Sequence, residues 1–170
     1  MVTVRPAVRD DVRAISELRV AGWRAAYAGL VPPEMLGGLD AAREAQYRAE
    51  HWDRRTSDAE LVALAEGMVV GWAVAGPARN PDWAGAGELY GLYAHPDHWS
   101  TGVGHALLVA VEGALRAAGY SRAYLLVLAG NERAAGFYGG HGWIEDGVEV
   151  SDERPGGVLI ERRRVRDLTQ

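Results

Sequence analysis

With 170 residues, 48% of them hydrophobic, but no apolar run near the roughly 18 residues that cross a bilayer, the sequence is sized for a single globular domain over 1–170. No cysteine occurs and all 18 basic residues are arginine; disulfides, thiolate metal sites and cysteine nucleophiles are excluded, and so, for want of a lysine, are Walker A loops, protein-kinase sites and pyridoxal Schiff bases. A net charge of −5 repels nucleic acid and anionic membrane, and the charged opening MVTVRPAVRDD is unlike a signal peptide, so a cytoplasmic protein with no nucleic-acid or membrane partner is expected.

VTVRPA opens as a short strand. The following DDVRAISELRVAGWRAAYAG sets Val12, Ile15, Leu18, Val20, Trp23 and Tyr27 mostly three or four residues apart, the spacing of one helix face. Asp10 or Asp11 is expected to cap that helix, and Gly29, Pro32 and Pro33 to end it. A second helix is predicted over about 40–52, capped by Asp40 and turning Ala45, Ala49 and Trp52 toward the first. ELVALAEGMVVGWAVAG reads as two strands joined in a hairpin at Glu66 and Gly67. Residues 76–87, rich in Gly, Pro, Ala and Asn, form a loop. A strand over 88–94, the turn HPDHWSTG and a hydroxyl-capped helix over about 101–118 come next. AYLLVLA makes another strand, NERAAGFYGGHGW a short helix capped by Asn131, and two strands close the chain. Arg162, Arg163, Arg164 and Arg166, flanked by Val158, Leu159, Ile160 and Val165, read as a terminal strand whose edge is kept soluble by charge rather than as a nucleic-acid patch. Strands and helices interleave without repeat or second boundary, so one α/β or α+β sheet is the expected architecture.

The chemistry concentrates where the 88–94 strand leads through Gly102, Val103 and Gly104 into HALLVAVEGAL. Glycines let a ligand approach the backbone, and the first amides of a helix carry the positive end of its dipole, so the turn suits a phosphate or pyrophosphate. A plain tight turn before a helix has the same appearance. Leu107 stands where a dinucleotide fingerprint has its third glycine, which argues against a nicotinamide enzyme. His95 and His98 form a lone His-x-x-His without a third ligand, so no metal centre is expected.

The run LYGLYAHPDHWSTGVGHALL resembles the acetyl-CoA-binding motif of the GNAT acetyltransferases, Gln/Arg-x-x-Gly-x-Gly/Ala between a strand and a helix. LLVLAGNERAAGFYGGHGW resembles their next signature, at Asn131, Ala134, Phe137, Tyr138, Gly142 and Trp143, and VRPAVRDDVRAI resembles their opening strand and helix. The likeness covers nearly the whole chain in the right order. It implies the GNAT fold, a mixed sheet of six or seven strands splayed at its centre and flanked by about four helices. It also implies an acetyl-CoA-dependent N-acetyltransferase. The cofactor would lie against Trp99, Ser100, Thr101, Gly102, Val103, Gly104 and His105, with the pantetheine arm along the splay beside Asn131 and Phe137. Backbone N–H groups of Leu92, Tyr93 and Ala94 would polarise the thioester carbonyl. The sequence departs from the family at Trp99, where Arg or Gln is usual, and at Ser100 and Thr101, which replace a common Gly-Arg pair. Those changes take a cation from the pyrophosphate site and leave the backbone amides of 101–106 to hold it.

An amine attacks a thioester as the free base and the departing thiolate needs a proton, so acetyl transfer calls for a proton acceptor, an oxyanion donor and a proton donor. Without a cysteine, direct attack in a ternary complex is the simplest scheme. By the resemblance Tyr138 protonates the thiolate, the alternative being a core aromatic on an apolar helix face. Glu88 would accept the amine proton directly or through water, the alternative being a surface carboxylate at a strand end, and His95 and His98 are rivals for the base. Trp23, Tyr27, Trp72, Trp83 and Tyr90 are candidates for the acceptor pocket or for the core. The expected reaction is acetylation of a small-molecule primary amine; a peptide N-terminal acetyltransferase and a catalytically silent acyl-CoA-binding module are the alternatives. Family members often bury sheet edges by pairing subunits, which for the apolar IEDGV and GVLIERRRV strands implies a homodimer.

Overall fold

The computed structural model describes residues 1–169, which form seven strands and five α-helices. In chain order they are β1 (Val2–Pro6), α1 (Val12–Tyr27), α2 (Pro33–Gly37), α3 (Ala41–Glu50), β2 (Ala59–Ala65), β3 (Met68–Pro77), β4 (Gly87–Ala94), α4 (Val103–Ala117), β5 (Arg122–Leu128), α5 (Glu132–Gly140), β6 (Ile144–Arg154) and β7 (Gly157–Asp167). One sheet holds all seven strands in the order β1-β2-β3-β4-β5-β7-β6. Every neighbouring pair is antiparallel except β4 and β5. Those two run parallel and share only the pairs Gly87↔Ala123 and Glu88↔Tyr124.

That short pairing has a local cause on β4. Val74 of β3 faces Gly91 and Ala75 faces Leu89, so Tyr90 is an extra residue on β4. A bulge increases twist and bends its strand, and here it coincides with the point where β4 leaves β5. The sheet is therefore splayed at its centre and joined on both flanks.

Each face is closed by a helix whose apolar spacing was visible in the sequence. Leu107, Leu108, Val111 and Leu115 of α4 are completely buried against one face, together with Leu125 and Trp143. Burying a side chain of this size contributes about 1.5–3 kcal/mol, so α4 is a principal anchor of the sheet. On the other face Ile15 and Leu18 of α1 pack with Val62 and Trp72. The α3 helix lies beside α1, as its spacing suggested, and is tied to it by the Arg19–Glu44 ion pair at 2.6 Å. No helix among the described residues is long and apolar enough to cross a membrane.

Several local expectations hold. The β2–β3 hairpin turns at Glu66 and Gly67 with φ of 52° and 81°, the left-handed pair that a two-residue hairpin needs. Asp40 caps α3 by accepting from the N–H groups of Ala42 and Arg43, and Asn131 caps α5 by accepting from Ala134 N–H.

Others are corrected. Neither Asp10 nor Asp11 caps α1: the Asp11 carboxylate instead accepts from Val8 N–H and from the Arg5 guanidinium, closing the turn before the helix. Nor is α4 capped by a hydroxyl. The Thr101 hydroxyl donates to the His98 carbonyl, and the cap position is Gly102 with φ of 91°. The arginine-rich strand is not a sheet edge, because β7 lies between β5 and β6 and leaves the edge to β6. Its arginines are paired: Arg162 with Glu145 and Glu149, Arg163 with Asp146, Arg164 with Glu145 and Arg166 with Glu112. α1 already ends at Tyr27, before the Pro32-Pro33 step, and that step instead starts a helix, α2, with proline in its first turn.

Candidate active site

Beyond Glu88 the facing edges of β4 and β5 separate, and a cleft of about 1070 Å³ opens between them. Leu89–Ala94 line one wall and Leu125–Leu128 the other, so main-chain groups along β4 lack a strand partner on that side. Such groups accept an extended ligand as a further strand would be accepted.

One end of the cleft meets the N-terminus of α4. Gly102 holds the left-handed turn there, and the first intrahelical bond is Ala106 N–H to the Gly102 carbonyl. The amides ahead of Ala106 have no intrahelical partner and carry the positive end of the dipole of a 15-residue helix. Gly104 is needed for space: a Cβ there would stand 3.2 Å from Cζ of Phe137.

Trp99 and Arg133 form the rim of this end. The Trp99 indole N–H donates to the Ala94 carbonyl at 2.9 Å, which ties the turn to the end of β4. Over its ring lies the Arg133 guanidinium from α5, 3.5 Å from the centroid. Arg133 has no ion-pair or hydrogen-bond partner among the described residues, and partial loss of solvent pulls it below the usual guanidinium range. An unpaired cation beside free helix amides is arranged for an anion. The cation missing at position 99 in the sequence is thus present in space, supplied from α5.

His105 and His141 meet on the same side, Nδ1 to Nε2 at 3.0 Å. His141 Nδ1 lies 2.7 Å from the Phe137 carbonyl, which only accepts, so that nitrogen carries a proton. In the neutral ring Nε2 of His141 then accepts from Nδ1 of His105. No group of three or more metal-ligating side chains occurs among the described residues.

Tyr138 lines the cleft from α5, 8% exposed and packed edge-on to Phe137 and Trp143. Its hydroxyl makes no hydrogen bond to another described residue. Burial, with a smaller contribution from Tyr93, raises its pKa well above the usual phenol value, so it holds its proton at any physiological pH.

The other end of the cleft is aromatic and charged. Trp23 and Tyr27 of α1 pack edge to face at 4.7 Å, and the Trp23 N–H donates to the Tyr93 hydroxyl. Glu88, 2% exposed, accepts four hydrogen bonds: Arg79 N–H, Nε and Nη2 at 2.8, 3.1 and 2.6 Å, and the Tyr124 hydroxyl at 2.6 Å. Burial first, and Glu88 second, push Tyr124 up to about 12. Opposite, on β6, Arg154 pairs with Asp152 at 2.6 Å and lies over the Trp23 ring. Glu161 of β7 also lines this end and has no hydrogen-bond or ion-pair partner among the described residues. Burial, reinforced by the charge of Asp152, raises it above the usual carboxyl value.

Most of the residues singled out in the sequence converge here. Glu88, Tyr138, Leu92, Tyr93, Ala94, Asn131 and Phe137 line the cleft, as do Trp99, Ser100, Gly102, Gly104 and His105. Thr101 and Val103 do not; Val103 points into the core at 1% exposure. Of the aromatic candidates, Trp23, Tyr27 and Tyr90 reach the cleft. Trp72 packs under α1, and Trp83 lies against Tyr124 and beneath the guanidinium groups of Arg122 and Arg163. His98 lines the α4 end, whereas His95 does not line the cleft. Arg79, Tyr124, Arg133, Asp152, Arg154 and Glu161 were not singled out, because no local pattern marks a polar residue as cleft-lining; only pairing across strands distant in sequence does so.

This architecture has close counterparts. The solved structure of the PaiA N-acetyltransferase of Thermoplasma acidophilum in complex with coenzyme A matches 98% of the chain and 99% of its own at a TM-score of 0.71 and 17% identity. YncA of Salmonella typhimurium, solved with its cofactor acetyl-CoA, matches 99% of the chain and 95% of its own at 0.73 and 19% identity. In sequence, the chain is 31% identical over 157 residues to YuaI of Bacillus subtilis (strain 168), described as an uncharacterized N-acetyltransferase, covering 91% of this chain and 88% of that one. Residues 23–143 match the profile of the Acetyltransferase (GNAT) family. The splayed sheet, the glycine turn and the sequence match agree, and the chain belongs to the GNAT acetyltransferase family.

Proposed function

We propose that the protein transfers an acetyl group from acetyl-CoA to a primary amine of a small molecule by direct attack within a ternary complex. The observation that carries this reading is the separation of β4 from β5 immediately after Glu88, which joins an anion-ready helix start to an aromatic, charged chamber through one continuous cleft. The cofactor bound by PaiA and YncA supports the same assignment here.

The residues present fit the cofactor. The amides at the start of α4 and the Arg133 guanidinium on Trp99 hold its pyrophosphate, and the free edge of β4 with Asn131 holds the pantetheine arm. Acetyl-CoA supplies the acetyl group as a thioester. Main-chain N–H groups at Leu92–Ala94 orient and polarise the carbonyl, an arrangement worth several kcal/mol when the donors are fixed in advance. Tyr138 holds a proton on its hydroxyl for the departing sulfur, a role suited to a phenol kept neutral by burial. Trp23 and Tyr27 wall the acceptor chamber. With no cysteine in the chain, no thioester on the protein is available and the amine attacks directly.

Two copies pair through the outer β6–β7 hairpin, where Ile144, Val148, Val158 and Ile160 are exposed. A panel of primary amines assayed with acetyl-CoA, following free thiol, tests the main reading. Thiol release with at least one small amine is expected; binding of CoA without release for any amine identifies a silent acyl-CoA-binding module instead.

A further inference from the structure

Of two carboxylates that line the acceptor chamber, the buried Glu88 is saturated, and the half-buried Glu161 has no partner among the described residues. A carboxylate offers about four lone-pair sites, and Glu88 has four donors on it, two of them from the Arg79 guanidinium. An amine proton could reach Glu88 only after Arg79 or Tyr124 let go. Glu161 has no donor on it at all among the described residues, although it lines the same chamber. It stands on β7 opposite Leu128 of β5 and Val150 of β6. Tyr27, Tyr138 and Glu161 all line this one cleft.

We propose that Glu161 receives the acceptor: its carboxylate binds the substrate's ammonium group and takes the proton that frees the amine. The proposal rests on the acetyl-transfer reading and names the acceptor as a cationic primary amine. Charge in the chamber agrees. Arg79 and Arg154 face three carboxylates, Glu88, Asp152 and Glu161, and pair with the first two, so one negative charge stays uncompensated.

The groups around Glu161 set its readiness. Burial raises its pKa, Asp152 of β6 and Glu88 of β4 raise it further, and Arg154 of β6 and Arg79 of the loop after β3 oppose them. Tyr27 of α1, held neutral by burial, adds no charge. A carboxylate so placed is a better proton acceptor than a fully solvated one. In the reaction the ammonium cedes one proton to Glu161, and the nitrogen lone pair forms the bond to the acetyl carbon as the carbon–sulfur bond breaks. Sulfur leaves with that electron pair and takes the Tyr138 proton, the nitrogen's second proton restores Tyr138 through solvent, and Glu161 releases its own proton to water.

The test pairs a direct readout with a kinetic one. In the CoA-saturated protein, the Glu161 side-chain carboxyl carbon is followed by NMR, assigned by its loss in Glu161→Gln, while n-alkyl primary amines and the matching alcohols are added. Amines are expected to move the signal where alcohols leave it, and Glu161→Gln to lose the low-pH limb of kcat/KM and about 10²-fold or more of its value. CoA affinity should be unchanged, which shows that the variant is folded, and Glu161→Asp should recover part of the activity. A signal indifferent to every amine, or a Glu161→Gln enzyme with an intact low-pH limb, overturns the proposal. Thiol release absent in the wild type while the signal still responds to amines rejects acetyl transfer and retains the cation site.

Discussion

The acid proposed at Tyr138 and the cofactor-binding cation proposed at Arg133 are single residues whose roles can be separated by substitution. If Tyr138 delivers the proton to sulfur, its interaction develops only as the bond breaks, so Tyr138→Phe should lower kcat by about 10²–10⁴-fold and leave CoA affinity nearly unchanged. The phenyl ring keeps the contacts with Phe137 and Trp143, and a folded variant with wild-type kcat would return Tyr138 to the core. Arg133→Ala should do the reverse. Loss of one charge-assisted contact should weaken CoA binding by about tenfold, with kcat at saturation preserved, and the residual affinity should depend less on salt. Titration calorimetry in low and high salt reads both effects; an unchanged Kd would mean that the amides of α4 hold the pyrophosphate without Arg133. The position of Tyr138 in the cleft was legible because its motif surrounds it in sequence. Arg133 lies in that same motif, yet its role depends on standing over Trp99, 34 positions earlier, and no spacing rule reports that.

At the scale of elements, the cofactor turn is held in place from behind. Gly71 of β3 lies beneath the first turn of α4, and a Cβ there would stand 2.6 Å from Val103 Cγ1 and 2.8 Å from Leu107 Cδ1, both completely or almost completely buried. Gly71→Ala should therefore cost about 1–3 kcal/mol by overpacking and displace the start of α4, weakening CoA binding as well as stability. Denaturant unfolding measures the first and calorimetry the second; an unaltered midpoint would show that α4 shifts freely. Helices and hairpins were readable because their signals are local: a three-to-four-residue apolar spacing for α1 and α4, two residues with positive φ at Glu66 and Gly67 for the hairpin. The caps of α1 and α4 were not, since the side chains that matched a capping pattern were taken by other partners. Asp11 went to Arg5, and Thr101 to the His98 carbonyl.

For the whole molecule, β6 is the sheet edge left to pair with a second copy. The hairpin of β6 and β7 exposes Ile144 at 69% and Val158 at 57%, and pairing two copies there would cover both an apolar surface and an unpaired strand edge. Light scattering is expected to give twice 18.3 kDa, and Val158→Asp with Ile160→Asp to shift the mass toward one chain. A single-chain mass for the unaltered protein refutes the pairing. The sequence by itself determined the order and kind of the elements, the glycine turn, the two family signatures and the exclusion of lysine and cysteine chemistry. All of these are written in residue types at short spacing. Only the tertiary structure decided that the arginine-rich strand lies inside the sheet, that β4 parts from β5 after two pairs, and that Glu88 is saturated while Glu161 is free. Those outcomes depend on which distant strands become neighbours and on which of several competing donors reaches a given carboxylate, and both are set by packing of the whole chain rather than by any segment of it.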